Sequence, residues 1–247
     1  MKKTLFKIFM SLVVIPTFVV GVLYWLNERG FFNLQQIELA VEGNDQGSNF
    51  LKPLLADLNK ELETYRGTSL WSLDLPEVSE KVKKMRWIQG SSLSRRWPHQ
   101  LSVRILPREV KLLFVSQNGK LLPIVEDGSF LQPVAAGEAP DVSLLAGDVF
   151  EKNVEMRKKA VTTISEIPDE GRFSRKTISE LRYDSKEGFW ATLIQSGMKV
   201  KIGDGQVSLR AARVSQVIEY MESRQLEARV IDANLSKKVL VRLRKGP

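Results

Sequence analysis

The sequence predicts an α+β protein: one N-terminal transmembrane helix, a small β-α-α-β-β domain, then a mixed α/β domain whose C-terminal strand lies at a sheet edge. Three observations lead there. Residues 8–26 are nineteen consecutive residues without a charge, which at about 1.5 Å per residue nearly spans a hydrocarbon core of about 30 Å. Residues 31–106 hold two runs of period two, a third strand-like run and two runs of period 3.6. Residues 107–247 carry several short strand patterns and two helical ones, punctuated by Gly and Pro.

The N-terminal segment divides into a tail at 1–7, cytoplasmic in orientation, and a transmembrane helix at 8–27. Pro16 and Gly21 are tolerable in such a helix. A cleaved signal peptide would end in small residues, yet the first alanine is Ala40, so a retained anchor is expected. Tyr24 and Trp25 stand where aromatic rings settle at a membrane interface. Lys2, Lys3 and Lys7 on one side, against the balanced pair Glu28 and Arg29 on the other, set the N-terminus inside and the remainder outside, in the periplasm.

Composition then removes whole function classes. The 247 residues contain no cysteine, so disulfides, thiolate nucleophiles and cysteine-ligated metals are excluded. His99 is the sole histidine; it lies in the turn-like Trp97-Pro98-His99, and no Gly-x-Ser-x-Gly element accompanies it. Of the net charge of +8, the three N-terminal lysines supply part, leaving +5 over residues 28–247. Those cations are dispersed without interleaved aromatics, which argues for a solvated face rather than nucleic-acid binding. Gly203-Asp204-Gly205 lacks the lysine and hydroxyl of a phosphate loop. Asp184, Glu187 and Asp204 do not recur at metal-ligand spacing. No catalytic, cofactor-binding or metal residues are therefore assigned, and no small-molecule substrate is expected.

In 31–106, Ile37, Leu39 and Val41 alternate with Gln36, Glu38 and Ala40, predicting a half-buried strand over 34–41 that ends at Glu42-Gly43-Asn44-Asp45. Ser48 is placed to cap a helix with the stripe Leu51, Leu54, Leu55, Leu58 and Leu62, closed by Gly67, with Pro53 in its first turns. An extended piece is expected over 70–75. Pro76 then opens a shorter helix burying Val78, Val82 and Met85. Strands over 87–95 and 101–105 flank Trp97-Pro98-His99-Gln100. Helices on one face of a small sheet follow from this order.

That order, with Val41-Glu42-Gly43-Asn44 after the first strand and Trp87-Ile88 running into Arg95-Arg96-Trp97-Pro98-His99-Gln100-Leu101, then Val103 and Pro107-Arg108-Glu109, resembles the POTRA domain of the FtsQ/DivIB family. Insertases of the outer membrane also carry POTRA modules, normally as repeats before a barrel. Here a single copy follows an anchor.

In 107–247, strands over 110–115 and 121–125 flank Asn118-Gly119, a strong hairpin signal. A turn at 126–130 and an extended run at 141–145 follow. The spacing of Val154, Ala160, Val161, Ile164 and Ile167 predicts a helix over 152–166, stopped by Pro168. Strands are expected over 178–183, 190–194 and 200–202. Val207, Ala211, Val214, Ile218 and Met221 define the next helix, with Arg210 and Arg213 facing outward. Segments 228–232 and 238–243 read as strands. The layout is similar to the family's β-domain, matching at Asp127-Gly128, Gly203-Asp204-Gly205 and Ile231-Asp232.

On residues alone, the apolar terminal strand with Lys237, Lys238 and Arg242 reads equally as a protected, solvated edge or as an edge open to strand addition. The resemblance implies a non-enzymatic scaffold of the division machinery at the septum of the inner membrane, linking early and late division proteins. It implies docking of the small bitopic coiled-coil proteins FtsB and FtsL on Leu235, Ser236, Lys237, Lys238, Val239, Leu240, Val241, Arg242 and Leu243. A second partner surface, linked to recruitment by upstream division proteins, would fall at Gly90, Leu93 and Arg95. The rival reading is a POTRA-type periplasmic chaperone or transport module for outer-membrane clients, which would bind many extended peptides weakly.

Overall fold

The uncharged N-terminal run forms part of helix α1 (Lys2–Glu28), which contains Pro16. The computed structural model describes residues 2–43, 48–235 and 238–244, and the side chains of 10, 12–43, 49–235 and 238–244. Thr17 Oγ1 donates to the Val13 carbonyl at 2.8 Å, a local bond beside the proline. Leu12, Val13, Val14 and Ile15 are all at least half exposed, as are Phe18 and Val20, so among these described side chains no face of the helix is covered. Among the described residues no helix is long and apolar enough to cross a membrane. The span expected at 8–27 includes residues 8, 9 and 11, whose side chains lie outside the description.

The chain divides into two compact units, Met1–Asn44 with Pro53–Pro107, and Asp45–Lys52 with Arg108–Pro247. Beyond α1, the first holds β1 (Gln36–Val41), most of α2 (Ser48–Glu63), α3 (Leu75–Lys83), β2 (Ile88–Arg96) and β3 (Gln100–Pro107). The sheet order is β1-β3-β2, with β1 parallel and β2 antiparallel to β3. Leu101, Val103 and Ile105 of the central strand are fully buried, as is Leu58 of α2. Three corrections apply. Residues 70–74 form turns and coil rather than an extended piece, and α3 begins at Leu75, where Asp74 accepts from the Glu77 amide at 3.3 Å. Met85 falls beyond the end of α3 and is only half-buried, so its stripe consists of Val78 and Val82. Leu55 is half-buried while Leu54, Leu58 and Leu62 go under, because Leu55 sits at the margin of the apolar arc.

The second unit is a single mixed sheet with helices on one face. Its elements are β4 (Val110–Val115), β5 (Leu121–Val125), β6 (Leu144–Ala146), α4 (Val149–Lys152), α5 (Val154–Ser165), β7 (Ile178–Asp184), β8 (Gly188–Leu193), β9 (Lys199–Gly203), α6 (Val207–Ser223), β10 (Ala228–Asp232) and β11 (Leu240–Leu243). The strands lie in the order β11-β10-β9-β8-β7-β6-β4-β5. One core joins Ala160, Val161 and Ile164 of α5 and the predicted stripe of α6 to Leu112, Phe114, Leu181, Phe189, Val200 and Ile231 of the strands. Around β9 and β10 the opposite face is polar: Lys201 Nζ lies 2.9 Å from Glu187 and 3.6 Å from Asp232. Its hydrogen bond to Glu187, with Asp232 adding, holds this ammonium above the ordinary lysine range.

The predicted 152–166 helix is in fact broken. Asn153 ends α4 and caps α5, accepting from the Met156 amide at 3.1 Å. Val154, expected on the buried stripe, is therefore in the exposed first turn, and Arg157 takes the inward position. Arg157 Nε donates to the Gly128 carbonyl at 2.6 Å and Nη1 to those of Phe150 and Glu151 at 2.7 and 3.1 Å. The guanidinium lies over the Phe130 ring, 4.0 Å from its centroid, and burial lowers its pKa. Gly128 permits this close approach: at φ +74°, a Cβ there would meet the Lys158 backbone nitrogen at 2.9 Å. Ile194, expected to end a strand, lies past β8 and is exposed. Arg210 turns back rather than outward, Nη1 donating to the Ile202 carbonyl at 2.6 Å.

Candidate partner-binding edge

The two ends of the eight-stranded sheet differ. At β5, the chain returns along the outer side: the amides of Leu131 and Val134 donate to the carbonyls of Pro123 and Leu121 at 2.9 and 3.0 Å, with bridges pairing Leu121 to Val134 and Ile124 to Phe130. That edge is closed by its own sequence. At the other end, β11 pairs only with β10, antiparallel, and no described residue pairs with its outer side.

The register fixes which backbone groups face outward. The Arg244 amide donates to the Glu227 carbonyl at 2.8 Å. Since alternate residues of an antiparallel strand address the same neighbour, Arg242 and Leu240, opposite Val230 and Asp232, also turn their backbone toward β10. Val241 and Leu243 present theirs to the open side. Side chains alternate perpendicular to this. Val239 and Val241 pack against the core, Val241 completing a row with Ile231 and Val200. Leu240 and Arg242 lie on the polar face, in rows with Asp232 and Lys201 and with Val230 and Lys199. Leu240 and Leu243 are each half exposed, and Lys238 and Arg242 are exposed. Leu235 is half-buried in a bend before the strand, and Ser236 and Lys237 lie outside the described residues.

Two residues outside the segment expected from sequence hold this edge. Arg244 clamps its end, with Nη1 3.4 Å from Glu227 Oε2 and Nη2 donating to the Ser196 carbonyl at 3.2 Å. Asn234 shapes the exit from β10: its amide donates to Asp232 Oδ1 at 3.0 Å and its Nδ2 to the Glu187 carbonyl at 3.4 Å. The Asn234 carboxamide fills the space above Gly203, where a Cβ would come within 2.0 Å of Oδ1 at φ +76°. Gly203→Ala is expected to displace Asn234 and destabilise the second unit by about 2 kcal/mol or more, from left-handed strain plus the clash, read as a lowered midpoint in urea unfolding. Neighbouring Asp204 pairs with Lys159 at 2.9 Å, so this loop is an internal tie.

The second expected surface lies on β2, an edge of the three-stranded sheet. Gly90 follows a register shift and pairs with Leu106. Leu93 and Arg95 share the half-buried face of the strand, while Ser92, Ser94 and Arg96 are exposed. Arg95 is engaged internally, donating to the carbonyls of Leu70 and Leu73 at 2.7 and 2.5 Å. The structure thus brings the β11 residues onto one edge but does not gather Gly90, Leu93 and Arg95 into one exposed patch.

A single β-α-α-β-β module precedes a larger mixed sheet, the first with the element order of a POTRA domain. The family described as "POTRA domain, FtsQ-type" matches residues 35–108, and that described as "Cell division protein FtsQ/DivIB, C-terminal" matches residues 113–234. Among curated relatives, the chain is 25% identical over 183 residues to a "Cell division protein FtsQ" of Geobacter sp. (strain M21), covering 71% of this chain and 66% of that one. It is 23% identical over 221 residues to the protein of the same name from Geotalea daltonii, covering 86% and 76%. Against a "Cell division protein DivIB" of Bacillus cytotoxicus it is 29% identical over 120 residues, covering 49% and 44%. The chain belongs to the FtsQ/DivIB family of cell-division proteins. Strand β11 follows the C-terminal match.

Proposed function

We propose that this chain is a non-enzymatic, bitopic scaffold of the bacterial division machinery that docks a partner by strand addition to β11. The observation carrying this is the contrast between the sheet's two ends, with β5 covered by its own return segment and β11 open. An open edge supplies unpaired donors and acceptors in register, and a partner strand satisfies them while side chains on alternate faces give selectivity. The partners fitting the family are FtsB- and FtsL-like single-pass coiled-coil proteins, docking across Leu235 to Leu243. Arg242 and Lys199 on the polar face favour acidic side chains on the added strand.

We assign α1 as the anchor in the inner membrane, with both folded units periplasmic at the septum. Support comes from its uncharged run at 8–26 and from apolar side chains exposed all round, a pattern suited to lipid rather than water. The edge of β2 is the second surface, engaged through backbone groups and Ser92, Ser94 and Arg96 rather than through Arg95.

The test is a pull-down from detergent-solubilised membranes with the full chain, beside a bait lacking residues 236–247. Short coiled-coil membrane proteins are expected with the full chain alone. Recovery of outer-membrane barrel precursors by both baits would favour the chaperone reading instead.

A further inference from the structure

Helix α1 leads directly into a cluster of four aromatic rings. Phe32 is buried and packs edge-on against Phe31, Trp71 and Trp97, with centroids 5.2, 5.8 and 5.7 Å away, and Trp71 lies 4.8 Å from Trp97. The three outer rings are not covered: Phe31 and Trp97 are 48% exposed and Trp71 is 58% exposed. Such a contiguous apolar surface is costly to leave in water.

Its position relative to the helix is fixed by hydrogen bonds. Ser69 Oγ donates to Asn27 Oδ1 at 2.7 Å, and the Phe31 amide donates to the Leu26 carbonyl at 3.0 Å. The Leu70 amide donates to the Phe32 carbonyl at 2.9 Å. The loop carrying Trp71 is thus held level with Asn27, the last residue before the first charge after the apolar run. From Leu26 to its end at Glu28 the helix advances about 3 Å, which lies within the roughly 5–8 Å headgroup layer on each side of a bilayer. Tyr24 and Trp25, both exposed, lie on the last turns, with the Arg29 guanidinium over the Trp25 ring at 5.0 Å.

Resting on the reading of α1 as a membrane anchor, we infer that Phe31, Trp71 and Trp97 form a platform seated in the phospholipid headgroup layer, which holds the β-α-α-β-β domain down on the membrane. Indole rings suit this layer because their flat apolar body and single N–H match its mixed polarity. A surface tied to the last turn of a spanning helix is held next to the bilayer that the helix enters. The anchor is then a fixed mount rather than a flexible leash.

The experiment uses the full chain carrying 5-fluorotryptophan in phospholipid nanodiscs, with and without a lipid bearing a nitroxide on its headgroup. Resonances are assigned by single Trp→Phe replacements, so the measured protein keeps its native side-chain set. Severalfold broadening of Trp25, Trp71 and Trp97 by the nitroxide lipid is the expected result. Broadening of Trp25 without Trp71 and Trp97 overturns the platform and leaves the anchor intact. Absence of broadening at Trp25 overturns the anchor reading and the platform with it.

Discussion

Val241→Pro is expected to weaken partner docking on the order of 100-fold, about 2–3 kcal/mol, while the second unit stays folded. Val241 directs its backbone N–H away from β10, so proline removes no bond within the sheet. It removes a donor from the open side and sets a pyrrolidine ring against an incoming strand. Losing one such bond costs about 1 kcal/mol, and the steric clash supplies the rest. Leu240→Pro is the matched control. There the N–H faces β10, so the same residue type one step away should detach β11 and lower thermal stability. Calorimetric titration with a partner's periplasmic segment, beside thermal melts of both variants, reads the contrast. Undiminished affinity in a folded Val241→Pro protein contradicts strand addition at β11.

Replacing Arg157 with methionine is expected to destabilise the second unit by about 3 kcal/mol, a fall of roughly 10 °C in midpoint. Methionine keeps most of the volume but leaves the Gly128, Phe150 and Glu151 carbonyls without their shared donor, and each unmet buried acceptor costs about 1–3 kcal/mol before relaxation. Arg157→Lys should recover only part, because one ammonium cannot reproduce the planar fork that reaches both Gly128 and the end of α4. Differential scanning calorimetry of the three proteins tests this. Equal midpoints for the Arg157→Met variant and the native chain would show that the guanidinium is dispensable.

Arg157 also marks where sequence reading loses its hold. Periodicity locates α6 and its buried face because Val207 to Met221 repeat on one side, and it locates the β4–β5 hairpin because Asn118-Gly119 announces the turn. Helix α5 is misphased because periodicity alone runs straight through Asn153, where α4 ends and whose side chain caps α5, a role that asparagine favours. That shifts Val154 to the surface and Arg157 inward, and a buried cation balanced by the carbonyls of Gly128 and of the end of α4 leaves no apolar pattern.

The candidate edge is partly legible for the same reason. Apolar residues at 239–241 and 243 indicate a terminal strand, and the resemblance indicates its use. Which amides face outward depends on pairing with β10, and the closure of β5 depends on bridges to Phe130 and Val134; both are matters of backbone register, which residue types alone leave open. At β2, the resemblance points to Arg95, whereas the fold uses that guanidinium to tie down Leu70 and Leu73. Its Arg96 neighbour, paired with Glu38 at 2.7 Å, stays on the exposed face.

Hydrogen exchange of the full chain in nanodiscs, measured by mass spectrometry with and without FtsB- and FtsL-like partners, tests strand addition most directly. The account predicts strong added protection at the Val241 and Leu243 amides, with little change along β5, whose outer side is already paired. Partner binding that leaves Val241 and Leu243 exchanging as in the free chain would contradict it.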